Sequence, residues 1–488
     1  MQEKFSMKTS QLIKIICCLA IVLVFWILPP AAPITDVGMK VIGVFIATVL
    51  MLSLVDPLWP ALLALVLLSR TGVMSLNDTI AGSFGSWITY FVVMSFVMTE
   101  ALNRSGFTSR LVAYYMSRKF VGKSPWVFTY ALCLLGMLVG CFMDQVPVTA
   151  FFLSFCSKIF KELGYKPGDK YPQLATMAVV FAVNIGGAMT PISHSLAILG
   201  IGIYEGATGN SLNLFTYLAY GVPTGLILFA ILAVILRLCV KPDMSKFESF
   251  DINNVLEKQK PMDLKEKTIV AIFFGTVLLW MLPGILKMFM AGSGLVTALD
   301  SFGITFWAIV SVVLMAVITI NDKPLIDLKD IVTNHFAWNI IIFISIGVLL
   351  GGAVSNDKVG LTAFITENVT PLTAGVQPLL IVLLIGFVTC VMTNFAANVP
   401  TITVMTGVGC AVALAGNSGL DPMAIALTTT FTGACAYMMP SSFATIAMLH
   451  ADDYSDSGMV IRYGLLAVLL TAVVCAFIGY PLAAYILA

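Results

Sequence analysis

Four short polar segments interrupt otherwise apolar runs, and each carries a proline. The first is Phe142-Met143-Asp144-Gln145-Val146-Pro147-Val148-Thr149, and the second is Asn184-Ile185-Gly186-Gly187-Ala188-Met189-Thr190-Pro191-Ile192-Ser193-His194. The third is Thr393-Asn394-Phe395-Ala396-Ala397-Asn398-Val399-Pro400-Thr401, and the fourth is Met439-Pro440-Ser441-Ser442. Proline removes a backbone donor and disrupts the helix behind it. Amides freed at such a break can face an anion, and freed carbonyls can coordinate a cation. The candidates for touching a solute are therefore Gln145, Val146, Pro147, Thr190, Pro191, His194, Asn398, Val399, Pro400, Pro440 and Ser441. Asp144 is a carboxylate embedded in an apolar run, which is costly and points to an ion or proton site. The plainer alternative makes it the N-cap of a following helix. His194 is either a hydrogen-bonded core histidine or a titratable contact for solute or proton. Interhelical hydrogen bonding is the plainer account of the hydroxyls and amides.

The elements that position these breaks follow from hydropathy and charge. Two apolar runs, 125–157 and 377–415, are too long for one span and carry a polar break in the middle. A helix–break–helix that enters and leaves on one side suits that length, and such backbone is tolerated where it lines protein or water. Arg104 to Lys123 holds five basic residues and no acid, and Lys158 to Tyr171 holds four against Glu162 and Asp169. Both ends of the first long run thus lie on the basic, cytoplasmic side. Ser355 to Gln377 has only Lys358 against Asp357 and Glu367, so the second hairpin enters from the opposite face. The expected organisation is an N-terminal segment 1–36 with a first span, a repeat over 37–240 with a hairpin at 124–160, and a second repeat over 268–488 with a hairpin at 377–415. Between the repeats, 241–267 holds six basic and six acidic residues and reads as a cytoplasmic linker.

The two halves match in order. Phe84-Gly85-Ser86-Trp87 answers His335-Phe336-Ala337-Trp338, and each Trp opens an apolar span ending at Gly106-Phe107-Thr108 or Gly360-Leu361-Thr362. Asp144-Gln145-Val146-Pro147 answers Ala397-Asn398-Val399-Pro400, and Met189-Thr190-Pro191 answers Met438-Met439-Pro440, at offsets of 249 to 253 residues. Opposite insertion of matching halves is an inverted-topology repeat, the plan of many secondary transporters.

Composition sets the solvent. Of 488 residues, 59% are hydrophobic and 10% charged, with a mean hydropathy of +0.99, against about 25% charged in soluble domains. The expected fold is an all-α polytopic membrane protein, an inverted-topology repeat of about 11 transmembrane helices plus two re-entrant hairpins. The run from Leu12 to Leu28 ends in Pro29-Pro30 without a small-residue cleavage site, so it reads as a retained first span. A net charge of +1 gives no basic field for nucleic acid. The ten cysteines show no CxxC or zinc spacing. Neither HExxH nor Gly-x-Ser-x-Gly occurs, so no enzyme is expected.

These breaks resemble those of the divalent-anion:sodium symporter family and, more broadly, the ion transporter superfamily, over about residues 35–488. The best local matches are Asn184 to Ile192 and the Trp338 span running to Gly360. The resemblance implies a homodimer in which a moving domain works as an elevator against a scaffold. It implies solute held between two hairpin tips, each bearing Ser-Asn-Thr, with a sodium site behind each. Here those triplets align with Asp144-Gln145-Val146 and Ala397-Asn398-Val399, so most of the carboxylate-binding hydroxyls are absent. The second sodium site carries over onto Thr393, Ala396, Asn398 and Ser442, and the first onto Asp144, Gln145 and Ser193. The expected activity is cation-coupled transport of a small anion, a carboxylate or an oxyanion. The alternative is an exchanger or antiporter of the arsenite-permease or sodium/proton type, with Asp144 as ion or proton site. No cofactor is expected beyond sodium or a proton as coupling ion. The expected surroundings are the bilayer of the inner (plasma) membrane, with a cytoplasmic N-terminus and no nucleic acid. Dianion binding beside Asp144 would need sodium or a proton to neutralise it.

Overall fold

A computed structural model describes residues 9–56, 58–121, 124–193, 195–247, 261–290, 292–336, 338–368, 375–415 and 418–487. His194 lies outside these residues, as does much of the 241–267 linker. Among the described residues the regular elements are helices, apart from a two-stranded turn pairing Thr319–Ile320 with Lys323–Pro324. Eight helices among the described residues are long and apolar enough to cross a membrane. The chain is an all-α polytopic membrane protein.

The first half runs α1 (Thr9–Ile27), α2 (Asp36–Leu54), α3 (Trp59–Arg70), α4 (Leu76–Gly82), α5 (Trp87–Arg104) and α6 (Phe107–Met116). A helix–turn–helix pair follows, α7 (Pro125–Gly140) and α8 (Gln145–Glu162). Next come α9 (Lys170–Met189), α10 (Ser195–Thr208) and α11 (Leu214–Cys239). The second half opens with α12 (Leu264–Met290), α13 (Gly294–Val317) and the short α14 (Leu328–Asp330), extended by a π turn to His335. It continues with α15 (Trp338–Val354), α16 (Leu361–Asn368), the pair α17 (Pro378–Phe395) and α18 (Asn398–Leu414), then α19 (Pro422–Ala434), α20 (Ala444–Ala451) and α21 (Ser457–Val474).

The correspondence reaches single residues. Gly106 before α6 and Gly360 before α16 both adopt left-handed backbone, at φ +83° and +74°. A side chain is strained there, which is why each half turns its chain at a glycine. Packing is exchanged between halves: α8 lies on α9 and on α20, while α18 lies on α19 and on α10. Each hairpin arm thus touches the broken span of its own half and the second piece of the other half's span.

The broken spans form the middle of the molecule. All but two residues of α9 are buried, and so is every residue of α19 from Ala424 onward. By contrast Leu278, Val317 and Leu384 are 57%, 71% and 62% exposed, as lipid-facing apolar residues are. Close approach at the centre depends on Gly186, where a Cβ would stand 2.2 Å from the Met137 carbonyl oxygen of α7.

Candidate functional site

α7 stops at Gly140 and α8 starts at Gln145, leaving Asp144 at the first tip. Its carboxylate accepts the Val146 N–H at 2.9 Å and caps α8. The same residue lines a cavity of about 480 Å³, a size typical of small-molecule sites. Capping uses one acceptor position of a carboxylate that has about four. Structural and ligand-facing roles are therefore compatible in one side chain.

Gln145 turns the other way and is 2% exposed. Its Nε2 stands 3.5 Å from the Asn184 carbonyl oxygen, and its buried Oε1 has no protein partner. An unpaired buried acceptor costs about 1–3 kcal/mol. Gly187 makes room for this amide, since a Cβ there would stand 1.2 Å from Nε2. Val146 and Pro147 follow Gln145 and line the cavity. Thr190 does not line it: its hydroxyl donates to the Cys141 carbonyl and ties the α9 break to the tip. Pro191 and Ser193 join Asp144 and Ser95 around a smaller pocket of about 30 Å³, enough for a water-sized occupant. The Ser193 Oγ is 3.4 Å from the Gly187 carbonyl oxygen, and the Ser95 Oγ is buried and unpartnered.

The second tip is Ala396–Ala397, and α18 starts at Asn398 without a side-chain cap. The Thr393 hydroxyl lies 2.9 Å from Asn398 Oδ1 and also within hydrogen-bond reach of the Gly433 carbonyl. One O–H thus faces two acceptor oxygens and can donate to only one at a time. Three converging oxygens with one proton among them suit a hard monovalent cation, as unwound carbonyls do at transporter breaks. Asn398 Nδ2 is 3.5 Å from the Ala434 carbonyl. Ala396 has only backbone groups to offer, and its N–H donates to Met392 O at 2.7 Å. Asn398, Val399 and Ser442 line the large cavity, and Pro400 is buried inside α18. Pro440 and Ser441 are exposed outside it, with Ser441 Oγ 3.4 Å from the Phe395 carbonyl oxygen.

Some of the site was not singled out in advance. Asn394 accepts the Tyr437 and Met438 amides at 2.7 and 2.9 Å, holding the unwound backbone after α19. Asn184 donates to the Ala436 carbonyl and accepts from Thr445, both at 2.9 Å, clasping the first half's broken span to the second's. Both asparagines stand in the break motifs, but nothing in their spacing tells a backbone clasp from a ligand. Ser95, Thr99 and Asn103 recur every four residues along apolar α5, and a polar stripe at helical spacing was the available signal. Thr99 and Asn103 of that stripe, with the neighbouring Glu100, line the large cavity together with His335 and Phe336.

The cavity lining includes, among the described residues, the carboxyl side chains of Glu100 and Asp144 and no lysine or arginine. Among the described residues no group of three His, Cys, Asp or Glu side chains could hold a metal ion.

Comparison with known proteins places this geometry. A family model described as citrate transporter matches residues 42–430. A sodium-dependent dicarboxylate transporter of Staphylococcus saprophyticus is 23% identical over 463 residues, covering 92% of this chain and 86% of that protein. Its counterpart in Staphylococcus aureus is 21% identical over 494 residues, covering 98% and 92%. The fold is similar to the crystal structure of the YdaH transporter of Alcanivorax borkumensis, with a TM-score of 0.56 and 12% identity over 96% of this chain and 97% of that one.

Proposed function

The chain belongs to the citrate transporter family, and from that premise we propose that it carries a carboxylate-bearing anion together with sodium. Its resemblance to the divalent-anion:sodium symporters is borne out by relatives that span nearly the whole chain. It is a membrane transporter and not an enzyme.

The observation that carries the proposal is a cavity whose described lining holds two acidic side chains and no lysine or arginine, flanked by buried oxygens in excess of their donors. An anion placed about 4 Å from Asp144 meets about 4 kcal/mol of repulsion at an effective dielectric of 20. A cation bound beside the carboxylate offsets that term, so anion and cation enter together. Gln145 Oε1, Asp144 and Ser193 fit the first cation position, and Thr393, Asn398 and the Gly433 carbonyl fit the second. Val146, Pro147, Asn398 and Val399 fit the solute position between the tips, where α8 and α18 start.

Movement of the hairpins and broken spans against α1–α5 and α12–α15, as an elevator in a homodimer, is the finer part of the proposal. Exchanged packing of the two halves supports it. With the basic run 104–123 on the cytoplasmic side, a cavity rimmed by Glu100 and Asn103 faces inward. A plasma-membrane location and a cytoplasmic N-terminus belong to the same reading. The pocket at Asp144 and Ser95 favours a second reading, exchange or antiport with Asp144 as the ion or proton site.

Purified protein in proteoliposomes tests the pair. Labelled succinate and citrate uptake should accelerate under an inward sodium gradient, and Asp144→Asn should remove that dependence. Unlabelled internal solute should drive counterflow in either reading, whereas a pore shows none. Uptake that ignores sodium but follows a proton gradient favours the antiport reading. Failure to carry any carboxylate sinks the proposal.

A further inference from the structure

At the C-terminal end of α5 four charged or titratable side chains meet on the rim of the large cavity. Arg104 bonds Glu100 through Nε and Asp330 through Nη1, each at 2.7 Å. His335 stands between the same two carboxylates. Its Nδ1 is 3.7 Å from Glu100 Oε1 and its Nε2 is 3.8 Å from Asp330 Oδ2. Asn334 holds the other oxygen of Asp330 at 2.8 Å. Glu100 and His335 line the cavity; Arg104 does not, because its guanidinium is turned onto the carboxylates.

The consequence is electrostatic. With His335 neutral, two carboxylates and one guanidinium leave the rim with a negative charge in excess. An imidazolium cancels that excess and pairs with both carboxylates at once. Histidine is the side chain whose ordinary titration falls between pH 5 and 8. The His335 side chain is 45% exposed at the rim of the cavity. Deeper in, Asp144 adds a second acidic side chain to the lining, so an anion reaching the tips passes two carboxyl groups, and among the described residues no lysine or arginine lines the way.

We propose that His335 is the charge-selecting residue of the cavity mouth, admitting an anionic solute when protonated and opposing it when neutral. This rests on the anion-transport reading above but concerns a group on the rim, apart from the tips and from either cation position. It places proton sensitivity on a residue that does not touch the bound solute. Changes at His335 should therefore move the pH profile and the apparent affinity for solute, and leave sodium dependence in place.

The experiment measures labelled succinate uptake in proteoliposomes at equal internal and external pH from 5.5 to 8, at fixed sodium. Wild type is compared with His335→Gln, His335→Arg and Glu100→Gln at each pH, so that ionisation of the solute itself cancels. The wild-type rate should exceed that of His335→Gln about fivefold at pH 5.5 and fall to equality at pH 8. His335→Arg should keep the acid-pH rate across the range, and Glu100→Gln should raise the rate at pH 8. Thermal unfolding of each variant with and without succinate reports folding separately. A wild-type to His335→Gln ratio that is constant with pH, or an arginine variant as slow as the glutamine one, overturns the assignment. A wild type that carries no anion at any pH overturns the transport reading and this inference together.

Discussion

The two hairpin tips occupy matching places in the repeat, yet they spend their polar atoms differently. At the second tip Asn398 is tied to Thr393 and the Ala434 carbonyl, and the helix behind it has no side-chain cap. At the first tip a carboxylate caps α8 while facing the cavity, and the neighbouring amide keeps a buried oxygen without a partner. One tip engages neutral groups with one another, with a single hydroxyl proton shared between two acceptors, and the other carries a carboxyl group and a buried oxygen with no donor at all. Symmetric backbone can therefore hold an asymmetric site. The half with the acidic side chain and the orphaned oxygen is the half where a bound cation would gain most, because it would relieve both at once.

Making the tips alike should produce the largest effect. Ala397→Asp puts a further carboxylate opposite Asp144, and initial carboxylate uptake should fall at least about tenfold from the added repulsion. Uptake at the wild-type rate would show that the tips are electrostatically equivalent.

Next is the support of the first tip. Gly187→Ala drives a methyl into the Gln145 amide, and overpacking of this kind costs about 1–3 kcal/mol. A lower thermal midpoint with weaker sodium stabilisation is expected; an unchanged midpoint would mean that Gln145 is free to move.

A matched pair then separates bonded from orphaned amides. Asn398→Leu breaks a satisfied group and should cost about 1–2 kcal/mol without sodium, whereas Gln145→Leu should cost under about 1 kcal/mol. Denaturation that ranks them the other way would contradict the hydrogen bonds of Asn398 to Thr393 and the Ala434 carbonyl.

The smallest change is Thr393→Val, which removes one of three converging oxygens. The sodium concentration for half-maximal uptake should rise about threefold to tenfold, as for loss of one modest interaction, with the limiting rate little altered. Sodium dependence that does not move would show that Thr393 holds no coupling cation.

Much of this was legible along the chain because the signals are local. A proline inside an apolar run announces a break wherever the chain folds, and Gly106 and Gly360 announce turns by a backbone few other residues adopt. Trp87 and Trp338 mark the starts of α5 and α15. The direction of a side chain is another matter. Gln145 and Thr190 read as solute contacts beside Val146 and Pro191, yet they point into protein, and Ser441 lies outside the cavity. Glu100 and His335 are 235 positions apart in the sequence and meet only because α5 packs on the turn that follows α14.

The sequence alone determined membrane residence, the repeat, the positions of the four breaks and the unlike chemistry of the two tips, since each depends on composition or on near neighbours. Tertiary structure decided which polar atoms are satisfied and which face the cavity, since that depends on helices brought together from opposite halves. Asn184 shows the difference: its place in a break is written in its own segment, but its partners Ala436 and Thr445 belong to the other repeat. Asp144 was visible as a costly carboxylate in an apolar run, and only the packed structure shows it capping a helix and lining the large cavity at once.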